Sequence, residues 1–231
     1  MKAFCIATIL AWASVMASAS TLDITGQTEN VDQGGQFSAN LNGGLSFFVY
    51  CVDFRNFESP AASVNISTPL SAADIDDTRY GTTPSWDFSY FPLLSAQDRY
   101  VQAAWLTTQY NFTSGVTLAD KEIQNAIWTL LTVDGTSGFP GGDAAGTGTY
   151  LVQAGAWELG AALAGTLSAF EADVQIYTST NVASVPDAQG RYVMGSQEMI
   201  SVSPEPGTVW LGVCGLGLIL FARARQNPKQ R

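Results

Sequence analysis

Runs of apolar and aromatic residues predict β-strands on both sides of the middle of the chain. The densest run covers residues 45–54 and reads Leu-Ser-Phe-Phe-Val-Tyr-Cys-Val-Asp-Phe, a composition typical of a strand. With the two-residue period of a strand, Phe47, Val49 and Cys51 share one face. The opposite face is apolar too, which predicts a central position in a sheet. Weaker patterns predict further strands at 64–66, 172–178 and 191–202, and edge strands or loops at 21–42.

The middle of the chain has the spacing of helices. Residues 95–110 carry apolar side chains at helical spacing and begin with a Ser-x-x-Asp pattern typical of a helix start. In 118–131 an apolar stripe is bordered by Gln124 and Trp128. A third helix is predicted at 150–167, and loops at 67–90 and 134–148. Strands on either side of a helical middle favour an α+β fold.

The chain begins with the features of a secretory signal peptide. Lys2 precedes an apolar run at residues 3–16, and the small-x-small sequence Ala17-Ser18-Ala19 follows it. The run is shorter than a membrane span and ends in a cleavage site. Residues 1–19 are therefore predicted to be removed on export, which places the remaining domain outside the cytoplasm.

The other end carries a second short apolar run with a fixed order of flanking features. Pro204, Glu205 and Pro206 introduce the run at 209–222, and Arg and Lys residues follow it. Basic residues after an apolar segment are expected on the cytoplasmic side. The order resembles the PEP-CTERM sorting signal. That resemblance implies a membrane-anchoring helix in the tail 204–231, recognition by exosortase-type sorting machinery, and a Gram-negative-type envelope.

These features predict a signal peptide at 1–19, one extracytoplasmic domain at 20–203 and a sorting tail at 204–231. The expected fold class is α+β: a single domain with β-strands flanking a central helical segment, plus a C-terminal transmembrane helix. Within 20–203, five basic residues against nineteen acidic ones give a net charge of about −14. Such a surface repels phosphate backbones, so nucleic acid is not an expected partner.

Cysteine and histidine counts narrow the chemistry. Of the three cysteines, Cys5 belongs to the signal peptide and Cys214 to the tail, so the exported domain keeps only Cys51 and has no internal disulfide. Histidine is absent, which removes His-dependent catalytic triads and the usual zinc sites. We therefore expect no metal, no cofactor and no enzymatic activity.

Two segments carry a more specific chemical hypothesis. Tyr-Cys-Val-Asp at 50–53 lies on the predicted strand, and Ile-Gln-Asn-Ala-Ile-Trp at 123–128 lies on the second helix. Together they resemble the paired motifs of thioester domains in bacterial surface proteins, over about 80 residues. The resemblance implies that Cys51 and Gln124 condense with loss of ammonia to form an internal thioester. One departure is Ile123, where the family often has Thr.

A thioester is an acyl group with a good leaving thiolate, so it acylates an amine or hydroxyl that reaches it. Water must be excluded until then. Aromatic residues near the two segments could supply an apolar screen: Phe47, Phe48, Trp105 and Trp128. In the alternative interpretation, Cys51 is a small buried apolar residue and Gln124 is a helix-border amide bonded to a backbone group.

The leading function expected from the sequence is a membrane-anchored surface or extracellular-matrix protein that acts as a covalent adhesin. Its partner would bear an amine or a hydroxyl group. The alternative is a structural or carbohydrate-binding matrix protein without thioester chemistry. A hydrolase using a carboxylate pair such as Asp53 and Glu58 has no supporting motif. The acidic group Asp74, Asp76 and Asp77 lacks the spacing of a calcium loop and is expected to be solvated.

Overall fold

Six strands close into an antiparallel barrel, and helices pack on its outside. The computed structural model describes residues 20–31, 34–52, 56–57, 61–81, 94–131, 147–180, 192–196 and 198–203. The strands are β1 (Ser20–Val31), β2 (Gly34–Leu41), β3 (Ser46–Cys51), β4 (Asn56–Phe57), β5 (Ala61–Ser67), β6 (Val174–Ser179), β7 (Tyr192–Ser196) and β8 (Met199–Val202). The helices are α1 (Ala72–Ile75), α2 (Ala96–Thr107), α3 (Leu118–Leu131), α4 (Thr147–Ala164) and α5 (Leu167–Asp173).

The barrel closes because β1 has a partner on each side. It pairs with β2 along most of its length and with β5 near its start. The order around the barrel is β1, β2, β3, β8, β6 and β5. β8, from the far end of the domain, lies between β3 and β6. Outside the barrel, β4 and β7 form a parallel two-stranded sheet.

Alternating side chains divide the apolar residues into two cores. One core fills the barrel and consists of Leu22, Phe37, Ala39, Val49, Cys51, Ala62, Val64, Tyr177 and Met199. The other lies between the barrel's outer face and the helices. It includes Val174, Ile176 and Ile200 from the strands and Tyr100, Leu106, Ile123, Ile127 and Leu131 from the helices. Adjacent residues of β3 therefore contribute to different cores.

Two predicted helices are confirmed, although the first was predicted to reach residue 110 and α2 ends at Thr107. α2 begins with a capping box in which the Ser95 hydroxyl accepts a bond from the Asp98 N–H and the Asp98 carboxylate accepts one from the Ser95 N–H. α3 covers residues 118–131, the predicted range. At its start, Thr117 and Asp120 bond each other in the same way. These local signals identify helix ends well because capping depends on residues three apart.

The third helix was predicted to reach residue 167, but α4 ends at Ala164. Gly165 takes a φ of 71°, a left-handed conformation that glycine adopts without a Cβ clash. Its N–H donates to the Ala162 carbonyl, and the Thr166 N–H donates to the Ala161 carbonyl. This is a Schellman motif, which stops the helix before α5 begins.

The predicted α+β class, with strands merely flanking a central helical segment, is wrong. The strands before and after the helices form one closed barrel with each other. The polar segment 21–42, expected to give edge strands or loops, forms two long paired strands, and β5 pairs with β1 and β6. Local composition does not reveal this closure, because it depends on pairing between distant segments.

The predicted C-terminal transmembrane helix is also not seen. Among the residues that the structure describes, no helix combines the length and apolar character needed to cross a membrane. The tail 204–231, including the apolar run at 209–222, lies outside those residues, and so does the signal peptide 1–19.

Candidate functional site

Cys51 is the last residue of β3, and its side chain belongs to the barrel core. It is fully buried beside Val49 and Met199 and forms no disulfide. The next residue, Val52, faces the helices instead, in the second core. Cys51 therefore lies where the barrel wall meets the helical layer.

Gln124 reaches this place from the first half of α3. The sequence placed it and Trp128 at the border of the helix, but both are buried, with Gln124 0% and Trp128 1% exposed. The helix packs against the barrel, so its border residues lie under the strands. A fully buried carboxamide has to find hydrogen-bond partners within the protein.

The Gln124 carboxamide joins the ends of two neighbouring strands. Its Nε2 donates to the Cys51 carbonyl oxygen at 3.0 Å, and its Oε1 accepts from the Gly35 N–H at 2.7 Å. β2 and β3 pair through Gln36 and Tyr50, so Gly35 and Cys51 would form the next rung of this antiparallel ladder. The side-chain amide occupies that rung as a peptide group would, with one donor and one acceptor.

Two glycines allow this close approach. A Cβ on Gly34 would lie 2.9 Å from Gln124 Cδ and 2.7 Å from the Trp128 ring. Gly35 has a φ of 95°, and a Cβ there would lie 2.3 Å from the Glu29 carbonyl oxygen. Side chains at either position would displace the main chain from the carboxamide.

Tyr110 supplies a second donor to the Gln124 carbonyl. Its hydroxyl donates to Oε1 at 2.7 Å. The Tyr110 ring stacks on two other rings. Its centroid lies 5.5 Å from that of Tyr50 and 4.9 Å from that of Phe112. Such offset aromatic contacts restrict the ring's orientation. The Gln124 carbonyl is thus held by one main-chain and one side-chain donor.

The loop that carries Tyr110 and Phe112 is anchored at the start of α3. The buried Asp120 carboxylate accepts from the Asn111 N–H at 3.1 Å, and from the Thr117 N–H at 2.7 Å and hydroxyl at 2.6 Å. Asp120 therefore links the position of Tyr110 to the helix that carries Gln124.

Burial dominates the electrostatics of this site. It raises the pKa of the Tyr110 hydroxyl well above its usual value. The acidic side chains of Cys51, Tyr50 and Asp120 raise this pKa further, because negative charge on any of them would disfavour the phenolate. Burial also raises the pKa of Tyr50, opposed by a hydrogen bond from Gln36. Both hydroxyls therefore stay protonated and act as neutral groups.

A second buried polar cluster lies near the site. Glu198 immediately precedes β8, and its carbonyl accepts from the Val52 N–H. Its carboxyl group accepts from Tyr100, from Thr178 at 2.6 Å and from the Arg79 N–H at 2.9 Å. Burial raises the pKa of Glu198. These bonds attach α2 and the segment after α1 to the barrel.

The structure brings together Cys51 and Gln124, the two residues that the sequence motifs identified. The aromatic residues around them differ from the predicted set. Of the four predicted screening aromatics, Trp128 lies at the site and Phe47 packs against the barrel core. Phe48 is 52% exposed, and Trp105 stacks on Trp157 instead.

Three residues of the site were not predicted from the sequence: Tyr110, Gly34 and Gly35. The Gly-Gly pair was a usable signal of close approach, whereas nothing local marked Tyr110.

Other sequence candidates fall elsewhere. Asp53, Glu58 and the sorting motif Pro204, Glu205 and Pro206 lie outside the described residues. Ser71 caps α1, and its hydroxyl accepts from the Asp74 N–H and donates to the Asp74 carboxylate. Asp74, Asp76 and Asp77 are all exposed. Across the described ranges, no three His, Cys, Asp or Glu side chains are grouped so that they could hold a metal ion.

Comparisons with known proteins yield no relative. No protein-family model matches the chain. No curated protein and no solved structure matches it either.

Proposed function

We propose that this chain is an exported surface or matrix protein whose domain joins Cys51 and Gln124 in an internal thioester and uses it to acylate a partner. In the forming step, Cys51 Sγ adds to Gln124 Cδ, the Cδ–Nε2 bond breaks, and the thiol proton leaves with the nitrogen as ammonia. In the transfer step, an amine adds to Cδ, the Cδ–Sγ bond breaks, and a proton from the amine returns to Sγ.

One observation carries the proposal. The Gln124 carboxamide is hydrogen-bonded to the main chain of Cys51 itself, across 73 residues of sequence. The sequence motifs point to the same two residues that this contact joins. The contact brings the Gln124 carboxamide to the main chain of the residue whose thiol would attack it, and this proximity supports the proposal.

The surroundings support a long-lived acyl group. Cys51 and Gln124 are both fully buried, and the buried Trp128 ring and Gly34 enclose the carboxamide. Exclusion of water protects a reactive intermediate from hydrolysis. The Tyr110 hydroxyl is buried while part of its side chain is exposed, so we expect a partner to approach past the exposed part of the ring.

The chain ends suggest where this chemistry would be used. The signal-peptide pattern at 1–19 and the sorting pattern at Pro204, Glu205 and Pro206 favour export and retention at the cell surface or in the extracellular matrix. The partner would be a molecule outside the cell that bears an amine or a hydroxyl. The sorting machinery would be of the exosortase type. On this proposal the protein acts once per molecule and is not an enzyme.

Amine labelling of three variants tests the proposal. We expect the wild-type chain to incorporate methylamine at residue 124, located by peptide mass mapping, and Cys51→Ala and Gln124→Ala to incorporate none. Gln102→Ala is the matched control, because Gln102 is an equally buried glutamine on α2 that bonds Glu158. Labelling that persists in Cys51→Ala would contradict the proposal, as would a wild type that takes up no amine.

A second candidate is a matrix protein without the covalent bond. It is favoured by the observation that both polar atoms of Gln124 already have hydrogen-bond partners, so the residue also serves to join β2 and β3. On this reading, Gln124→Ala lowers stability, because it leaves buried backbone groups unpaired, and no variant reacts with amines.

A further inference from the structure

The carbonyl oxygen of Gln124 is held by two short hydrogen bonds from different parts of the fold. The Gly35 N–H donates from the start of β2, and the Tyr110 hydroxyl donates from the loop after α2, each at 2.7 Å. The Cys51 carbonyl holds the amide nitrogen on the other side. The Tyr110 hydroxyl therefore gives Oε1 a second donor, so both lone pairs of this carbonyl oxygen are used.

Addition of a nucleophile to Gln124 Cδ places negative charge on Oε1. Donors already aimed at this oxygen stabilise that charge without any reorganisation at the moment of reaction. Both steps of the proposed chemistry pass through such a state, because the thiol adds to Cδ in the first and the amine adds to it in the second. The same two donors would therefore act twice.

The Gly35 donor is fixed by its main chain. Its φ of 95° lies in the region that favours glycine, and a Cβ would meet the Glu29 carbonyl oxygen at 2.3 Å. An N–H set by the strand cannot rotate away from the carbonyl. Glycine at position 35 therefore allows the backbone conformation that directs its N–H at Gln124 Oε1.

The Tyr110 donor is fixed by its neighbours and stays protonated. Tyr50 and Phe112 contact its ring in near-parallel stacks, tilted by 8° and 21°. Burial, reinforced by the Cys51 thiol, raises the pKa of its hydroxyl well above the usual value. The group is consequently a neutral hydrogen-bond donor over the whole range of physiological pH.

We propose that the Tyr110 hydroxyl and the Gly35 N–H form an oxyanion hole for the carbonyl of residue 124, and that Tyr110 is a catalytic residue in forming and in opening the thioester. The inference rests on the proposed function and deepens it. On this inference, Tyr110, which lies outside both sequence motifs, accelerates the formation and the opening of the thioester. The inference also explains why the loop after α2 is anchored to α3 through Asp120.

The test compares Tyr110→Phe with the wild type in the full chain. Peptide mass mapping follows the loss of ammonia after folding and the uptake of methylamine at residue 124. We expect both rates to fall at least tenfold, because loss of one oxyanion donor slows other acyl transfers by about 10²–10³-fold. Tyr177→Phe is the matched control, since that buried hydroxyl bonds Gln175 and Ser201 instead, and it should react at the wild-type rate.

The outcomes separate the two proposals. A wild type that never loses ammonia contradicts the proposed function itself. A wild type that reacts while Tyr110→Phe reacts equally fast overturns the oxyanion hole and leaves the thioester standing.

A second measurement covers the case in which Tyr110→Phe does not fold. Isotope-edited infrared spectroscopy of wild-type chain with ¹³C-labelled glutamine reads the thioester carbonyl directly. Two strong donors should shift its stretch to lower frequency than that of a thioester without donors, and an unshifted band would overturn the inference.

Discussion

At the scale of single residues, the site depends on the absence of side chains as much as on their presence. Gln124 takes the position of a missing rung between β2 and β3, and it fits because Gly34 and Gly35 leave room for it. Interiors are packed closely enough that one added methyl group is felt. The two glycines thus define the space in which the carboxamide and the Cys51 main chain meet.

Gly34→Ala should disrupt this site. The new Cβ would lie 2.9 Å from Gln124 Cδ and 2.7 Å from the Trp128 ring, both of them buried, so neither can move aside freely. We expect the free energy of unfolding to fall by about 1–3 kcal/mol, as for other overpacked cores, and amine uptake to slow. Denaturant unfolding measures the first effect. Gly26→Ala in β1 is the control, because its Cβ would meet no atom within 4 Å; equal stability of the two variants would refute the close contact.

At the scale of elements, the helices were predictable and the sheet was not. α2 and α3 are set by an apolar period and by capping residues a few positions apart, and the sequence shows both. The pairing of β3 with β8 joins Cys51 to Met199 and has no local signature. A closed barrel consequently replaced the expected α+β arrangement, although most of its strands had been located correctly.

Glu158 of α4 contacts α2 and has a raised pKa. Burial raises the pKa of Glu158 from 4.5 to about 7, the Asp98 and Glu171 carboxylates add to the shift, and a 2.7 Å bond from Gln102 opposes it. The folded state then binds the proton more tightly than the unfolded one. Protonated Glu158 therefore contributes to the free energy of unfolding below pH 4.5, and this contribution is lost as the pH rises to about 7.

We therefore expect the wild type to lose stability relative to Glu158→Gln as the pH rises across this window. One pKa unit corresponds to about 1.4 kcal/mol, and partial exposure reduces the effect, so the expected loss is about 2 kcal/mol. Urea unfolding at several pH values gives the difference. A wild type and a Glu158→Gln variant with parallel pH profiles would contradict the assignment.

At the scale of the whole molecule, the site exists because the barrel and the helices close on one another. Gly35 lies 89 residues from Gln124, and Cys51 lies 73 residues from it. The sequence motifs identified Cys51 and Gln124 as a pair, since each lies in a recognisable segment. They did not identify Tyr110, because its role depends on a loop conformation and on stacking with Tyr50 that no spacing rule encodes.

The tail should decide where the protein is found and leave the chemistry of the domain unchanged. Deleting residues 204–231 is expected to move the protein from the cell envelope to the medium, because the Pro-Glu-Pro pattern is lost, while amine labelling at residue 124 persists. Cell fractionation with immunoblotting measures the shift. Cys214→Ala, which keeps the tail pattern, should be retained like the wild type. Truncated protein that stays with the cells would show that the tail is not a retention signal.

The intact mass of the exported wild-type chain tests the central claim most directly. With the thioester in place, the chain should be lighter by one ammonia than its sequence mass, which is counted here without the signal peptide 1–19. Treatment with methylamine should add one methylamine and release one thiol, mapped to Cys51. Cys51→Ala should have its full sequence mass and should not change. A folded wild-type chain that has its full sequence mass, with the Cys51 thiol free and no methylamine gained, would contradict the account.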